Sequence, residues 1–167
     1  MKHTFILLIA ALAFPLNALA DKDCQYIGSW LGYDADENVA WISQAVGPNM
    51  AGGTLVLELP GFDFTFGGLF DVINASDLKG AWERTGGNTF RYATISFATN
   101  SDGDAVYAAR LAGDLEVVGE CDVLHVTNTW LTIYALDPVN DPVPVWERDP
   151  DIGPLPFAPH NGYRIEP

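Results

Sequence analysis

Apolar and polar residues alternate through much of this chain. In Thr54-Leu55-Val56-Leu57-Glu58-Leu59 the leucines occupy every second position. After Pro60-Gly61, Phe62, Phe64 and Phe66 alternate with Asp63 and Thr65. A period of two places one set of side chains on one face of an extended backbone, so each run predicts a strand with one apolar face. Short runs rich in Val, Thr, Phe, Tyr and Trp recur between Gly, Asn and Asp, and long amphipathic helical periods are hard to find. This is the pattern of antiparallel β structure. Thr89–Thr99 and Ala105–Val118 read as a hairpin around Asn100-Ser101-Asp102-Gly103-Asp104, whose residues accept left-handed backbone angles. A third long strand is expected over residues 121–136, after the tight Val118-Gly119-Glu120 connection. Three long sequential strands make a meander, and closing a meander removes its exposed edges. Residues 35–44 read equally well as a short helix or a strand.

The two ends break the pattern. Met1-Lys2-His3 is followed by the apolar run Phe5 to Phe14, and Ala18-Leu19-Ala20 precedes the charged Asp21-Lys22-Asp23. That is the layout of a secretory signal cleaved after Ala20, and the apolar run is too short to span a bilayer. At the other end, eight of the eleven prolines lie between Pro138 and Pro167, which bars this stretch from a central strand position. Val143, Val145, Trp146, Phe157 and Tyr163 are interleaved with them, so it reads as an extended tail lying on the barrel. The expectation is an all-β protein, an antiparallel up-and-down β-barrel of about eight strands. Residues 1–20 are the leader, 21–137 the barrel domain and 138–167 the packed proline-rich tail, and the mature protein is secreted or periplasmic.

Charge and cysteine content narrow the classes. The formal net charge is −14, one unit more negative once Lys2 leaves with the leader. Nucleic acid and anionic lipid both need cationic groups to neutralise phosphates, so neither is an expected partner, and no membrane insertion is expected after the leader is removed. An apolar content of 49% sets the chain apart from charged disordered proteins. Cys24 and Cys121 are the two cysteines. An even count in an exported chain reads as one disulfide, tying the mature N-terminus to a late strand.

Gly28-Ser29-Trp30 lies near the mature N-terminus, and Gly80-Ala81-Trp82 repeats the spacing. Here the chain resembles lipocalin-like, calycin-type barrels, whose first strand carries Gly-x-Trp. Across roughly residues 79–118 it also resembles small secreted bacterial barrels with a pattern like Gly80-x-Trp82-x-x-Thr85-Gly86-x-x-x-Phe90. The resemblance implies a small up-and-down barrel, often with an internal cavity. It also implies that a late arginine, Arg164 in this chain, packs on a Gly-x-Trp indole.

An eight-stranded barrel is just wide enough to fill with side chains or to hold one small ligand. Candidate ligand-binding residues are the aromatic Phe62, Phe64, Phe66, Phe90, Tyr92, Trp130 and Tyr134, together with Arg110 and His125, since a mostly apolar pocket with a few polar groups is the usual small-molecule site. Along Asp122 to Trp130, His125, Thr127 and Thr129 are expected on one face and Asn128 and Trp130 on the other. For catalysis the chain offers little. Two histidines remain after the leader, too few for a three-histidine zinc, and no Gly-x-Ser-x-Gly elbow or phosphate-binding glycine loop appears. No catalytic residue, metal site or cofactor is assigned. The leading expectation is an exported barrel that binds a small, mostly apolar molecule. The alternatives are a barrel cyclase or isomerase using His125, Arg110 and Tyr134, and a filled barrel that docks a protein through its C-terminal tail.

Overall fold

The alternation read along the chain becomes ten strands in the computed structural model, which describes residues 23–33, 38–60, 65, 68, 70–136, 143–147 and 161–165. They are β1 (Gly28–Tyr33), β2 (Val39–Asn49), β3 (Gly52–Glu58), β4 (Asn74–Ala75), β5 (Leu78–Gly86), β6 (Thr89–Thr99), β7 (Ala105–Val118), β8 (Val123–Ala135), β9 (Val143–Glu147) and β10 (Asn161–Ile165). One antiparallel sheet runs β10-β1-β2-β3-β5-β6-β7-β8-β9, with the two-residue β4 on β6. β10 also pairs with β8, setting Asn161 opposite His125 and Tyr163 opposite Val123. Eight strands therefore close into a barrel, and β9 is additional, lying along Thr132–Ala135 of β8. The undecided stretch before Gln44 resolves in favour of a strand from Val39 onward. The phenylalanine run Phe62, Phe64 and Phe66 lies outside the described residues.

The proline-rich tail contributes to this wall. Asn161–Ile165 is a proline-free stretch between Pro159 and Pro167, so its backbone can bond on both sides, and it does: to β1 and to β8. Pro144 falls in β9, at the end of the strand order, where a missing N–H costs least. The Asn100 turn is held by its own side chain, whose Oδ1 accepts the amides of Asp102 and Asp104 at 3.0 Å each.

One end of the barrel is closed by aromatic rings. Tyr26 precedes β1 and turns inward, its ring 6.1 Å from Trp30, 5.5 Å from Trp82 and 5.6 Å from Phe90. The tryptophans of both Gly-x-Trp motifs thus meet on one tyrosine. Each indole N–H is satisfied: Trp30 Nε1 donates to Tyr26 O at 2.8 Å and Trp82 Nε1 to Val46 O at 3.3 Å. The guanidinium of Arg164 lies 4.5 Å from the Trp30 ring. It donates to the carbonyls of Cys121 at 2.9 Å, Ile27 at 3.0 Å and Gln25 at 2.5 Å. The planar five-donor fork of arginine suits such a convergence of carbonyls beneath a ring face.

The glycines of the two motifs have separate reasons. Gly28 adopts a φ of 136°, strained for a residue with a Cβ, and a Cβ there would lie 3.1 Å from Arg164 Nη1. At Gly80 a Cβ would lie 1.9 Å from Ala93 O, in the neighbouring β6. Cys24 and Cys121 form the disulfide beside this end, 97 residues apart in sequence. In the simple chain model, closing a loop of that length removes about 4–5 kcal/mol of unfolded-state entropy. Such a bridge suits an oxidising, extracellular-type compartment.

Candidate functional site

Next to the aromatic plug, and sharing Tyr26 with it, the barrel holds a cavity of about 40 Å³. Leu55 and Leu57 of β3, Leu111 and Leu115 of β7 and Leu124 of β8 supply most of its wall, with Trp41 of β2. Four hydroxyl-bearing residues interrupt the apolar lining: Tyr26, Ser43, Tyr92 and Thr129. Charged side chains are absent from the lining formed by the described residues. Ser43 stands on β2 between the inward Trp41 and Ala45 and is 2% exposed; Thr129 on β8 is 4% exposed. Among the described residues, Ser43 Oγ and Thr129 Oγ1 are buried without a hydrogen-bond partner. Most buried polar groups in proteins are bonded, so two orphaned hydroxyls on one cavity require a reason.

A backbone irregularity puts Thr129 there. Leu124 and Val126 face the cavity, and strict alternation would bring Asn128 and Trp130 inward after them. Instead the register of β7 against β8 shifts: Asp114 pairs with Asn128, and Leu115 with Val126. The extra residue reverses the alternation, so Thr129, Leu131 and Ile133 are buried. This bulge is pinned from outside. Thr127 Oγ1 donates to Asp114 O at 3.0 Å, and Asn128 Nδ2 reaches Asp114 Oδ2 at 3.5 Å. Arg91 Nε donates to Asp114 Oδ1 at 2.8 Å. Bulges commonly re-aim one side chain; here the side chain re-aimed is a threonine.

The cavity keeps its phenols neutral. Burial pushes the Tyr92 phenol up to about 12; Thr129 nearby works weakly in the opposite direction, and the charge of Asp114 adds to the rise. Burial raises the Tyr26 phenol further above its ordinary value, against a smaller opposing effect of Ser43 and with a small addition from Tyr92. Each phenol is lowered in part by hydrogen-bonding attraction to the hydroxyl it faces, although neither Ser43 Oγ nor Thr129 Oγ1 has a partner at full hydrogen-bond geometry among the described residues. All four groups remain uncharged across the physiological range, and each can offer a proton to an acceptor.

The residues singled out from the sequence fall in different places. Tyr92 lines the cavity. Phe90 is buried, but it packs in the plug against Tyr26 and Trp82 rather than lining the cavity. Arg110 and His125 are exposed, and Trp130 and Tyr134 are half-buried. These four sit at the outward positions of β7 and β8, where Trp130 opposes Ala112, Arg110 opposes Thr132 and Tyr134 opposes Ala108. The bulge explains Thr129 and Trp130, because it exchanges the faces they would hold on a regular strand. His125 and Tyr134 lie nine positions apart on one strand, about 30 Å at the usual rise, so the His125, Arg110 and Tyr134 set does not converge. Tyr26 and Ser43 were not anticipated. Tyr26 lies outside any alternating run, and Ser43 lies in the stretch whose secondary structure the sequence leaves undecided. Among the described residues no group of three His, Cys, Asp or Glu side chains is placed to hold a metal ion.

Comparison with protein-family models, with curated proteins and with solved structures gives no match. The eight-stranded antiparallel barrel is compatible with a lipocalin-like fold.

Proposed function

We propose that this chain is an exported, lipocalin-like barrel that binds a small, mostly apolar molecule in its interior. The observation that carries this reading is the apolar-walled cavity in the middle of a closed barrel, above a plugged end. The disulfide supports export, and the packing of Arg164 on Trp30 supports the lipocalin likeness. An engineered apolar cavity of about 150 Å³ takes one benzene ring. The space of about 40 Å³ found here therefore takes a very small molecule, or a larger one once Leu59 and Val126, the half-buried lining residues, move aside.

That small volume also favours a second reading, a filled barrel whose outer surface meets another protein. Ile73, Ile95 and Phe97 are exposed on that surface. Native mass spectrometry separates the two. The oxidised protein is incubated with an extract of its native surroundings and transferred intact to the gas phase. A discrete added mass that organic extraction removes is the expected result. A clean unliganded mass after such exposure overturns the binding reading in favour of the filled barrel.

A further inference from the structure

Resting on the binding reading above, we infer that the ligand is a small uncharged molecule bearing an oxygen acceptor, such as a ketone, which takes a hydrogen bond from the hydroxyl of Ser43 or of Thr129. Three observations converge on it. The first is the pair of orphaned hydroxyls, each more than nine-tenths buried and lining the same cavity. A hydrocarbon in that space would leave both unpaired, whereas a carbonyl oxygen can accept from a hydroxyl.

The second is the absence of any charged group from the described lining. A carboxylate or ammonium buried there would lose its hydration without a counter-ion, which is far costlier than burying a neutral oxygen. The phenols of Tyr26 and Tyr92, held protonated by their burial, add neutral donors and no compensating charge. The third is the bulge. Asp114, itself paired with Arg91, fixes Thr127 and Asn128, and the net result is that Thr129, which regular alternation would turn outward, faces the cavity. The same shift buries Leu131 and Ile133 for packing and adds to them one hydroxyl that has no hydrogen-bond partner among the described residues. Ordered water can bridge such hydroxyls in the unliganded protein, and the ligand's oxygen takes that water's place.

The test is a methyl-NMR titration of the oxidised protein with three ketones of rising size: butan-2-one, cyclohexanone and acetophenone. Each is matched with a hydrocarbon of similar shape (2-methylbutane, methylcyclohexane and ethylbenzene), and benzoate serves as the charged control. Shifts are read at the cavity leucines and at the Thr129 methyl. At least one ketone should bind about tenfold more tightly than its hydrocarbon partner, the yield of one good hydrogen bond, and benzoate should not bind. Combining Ser43→Ala with Thr129→Val should abolish the preference, with hydrocarbon affinity rising as ketone affinity falls, and Thr129→Ser should retain the preference. Thr129→Val and Ser43→Ala taken singly, one of which should lose the preference, keep the test open if the double variant does not fold. Equal binding of ketone and hydrocarbon, or a preference that survives loss of both hydroxyls, overturns the head-group assignment but leaves the binding reading standing. If none of the seven probes moves the cavity methyls, the binding reading itself fails and this inference with it.

Discussion

The plugged end of the barrel and the cavity above it are built from similar residues, yet they treat polar groups in opposite ways. At the plug, both indole N–H groups find carbonyls, and the amide of Cys24 finds Asn88 Oδ1 at 2.9 Å. The Arg164 guanidinium reaches three carbonyls. In the cavity, two hydroxyls find nothing. An unsatisfied buried hydroxyl costs about 1–3 kcal/mol, so the plug adds to stability while the cavity subtracts from it. The difference teaches where the fold is anchored and where it is held ready for something else.

The comparison breaks most visibly at the plug. Trp30→Ala removes a fully buried indole together with the surface on which Arg164 lies. It should cost about 3–5 kcal/mol, the range for large aromatic truncations, read from the urea midpoint. Arg164→Lys should recover little of the loss caused by Arg164→Ala, because an ammonium cannot serve three carbonyls and a ring face at once.

A second effect depends on pH and comes from the cavity phenols. Tyr26 and Tyr92 have folded-state values raised above the ordinary phenol value. A raised phenol favours the folded state in full below pH 10, and the contribution is lost as pH climbs from there to the folded value, because the unfolded chain releases its protons first. For Tyr92, with a folded value of about 12, the loss amounts to roughly 2–3 kcal/mol. Alkaline unfolding should therefore begin near pH 10, and Tyr92→Phe should flatten that limb of the stability curve. An unchanged alkaline limb in the variant would contradict the burial of this phenol.

The smallest effect has the opposite sign and sharpens the contrast. Thr129→Val and Ser43→Ala each remove an orphaned hydroxyl with little change in shape. Each should leave stability unchanged or raise it by about 1 kcal/mol, measured by thermal or urea melts. A loss of more than 1 kcal/mol in either variant would mean that the hydroxyl already has a partner in the folded protein.

The fold was legible in the sequence wherever a single rule governs a run of residues. Alternation in Leu55-Val56-Leu57 gives β3 with its inward face, the run Thr89–Thr99 gives β6 as a strand but not its faces, since Thr94 and Ser96 are buried while Ile95 and Phe97 are exposed, and Asn100 to Asp104 gives the turn between β6 and β7. The features that make the site were less legible, each for a definite reason. The β8 bulge carries no glycine or proline to announce it; it depends on Asp114, a residue on another strand. Tyr26 reaches the interior from a segment without period, so no pattern marks it. The closing strand β10 was masked by its setting, since a five-residue proline-free stretch among so many prolines does not stand out as a strand. Arg164, in contrast, could be placed over a Gly-x-Trp indole from the resemblance alone.

The way the barrel closes also bears on how it comes to be folded. Arg164 bonds to the carbonyl of Gln25 across a sequence separation of 139 residues, and among the described strands β10 is the one that pairs with both β1 and β8. Contacts so distant along the chain form slowly, because a large loop must close before they return any stabilisation. Until β10 arrives, β1 and β8 are the open margins of a curled sheet, each able to pair with a neighbouring molecule. Aggregation during refolding should therefore depend steeply on concentration, and a short peptide spanning Asn161–Ile165 should suppress it by occupying the vacant seam.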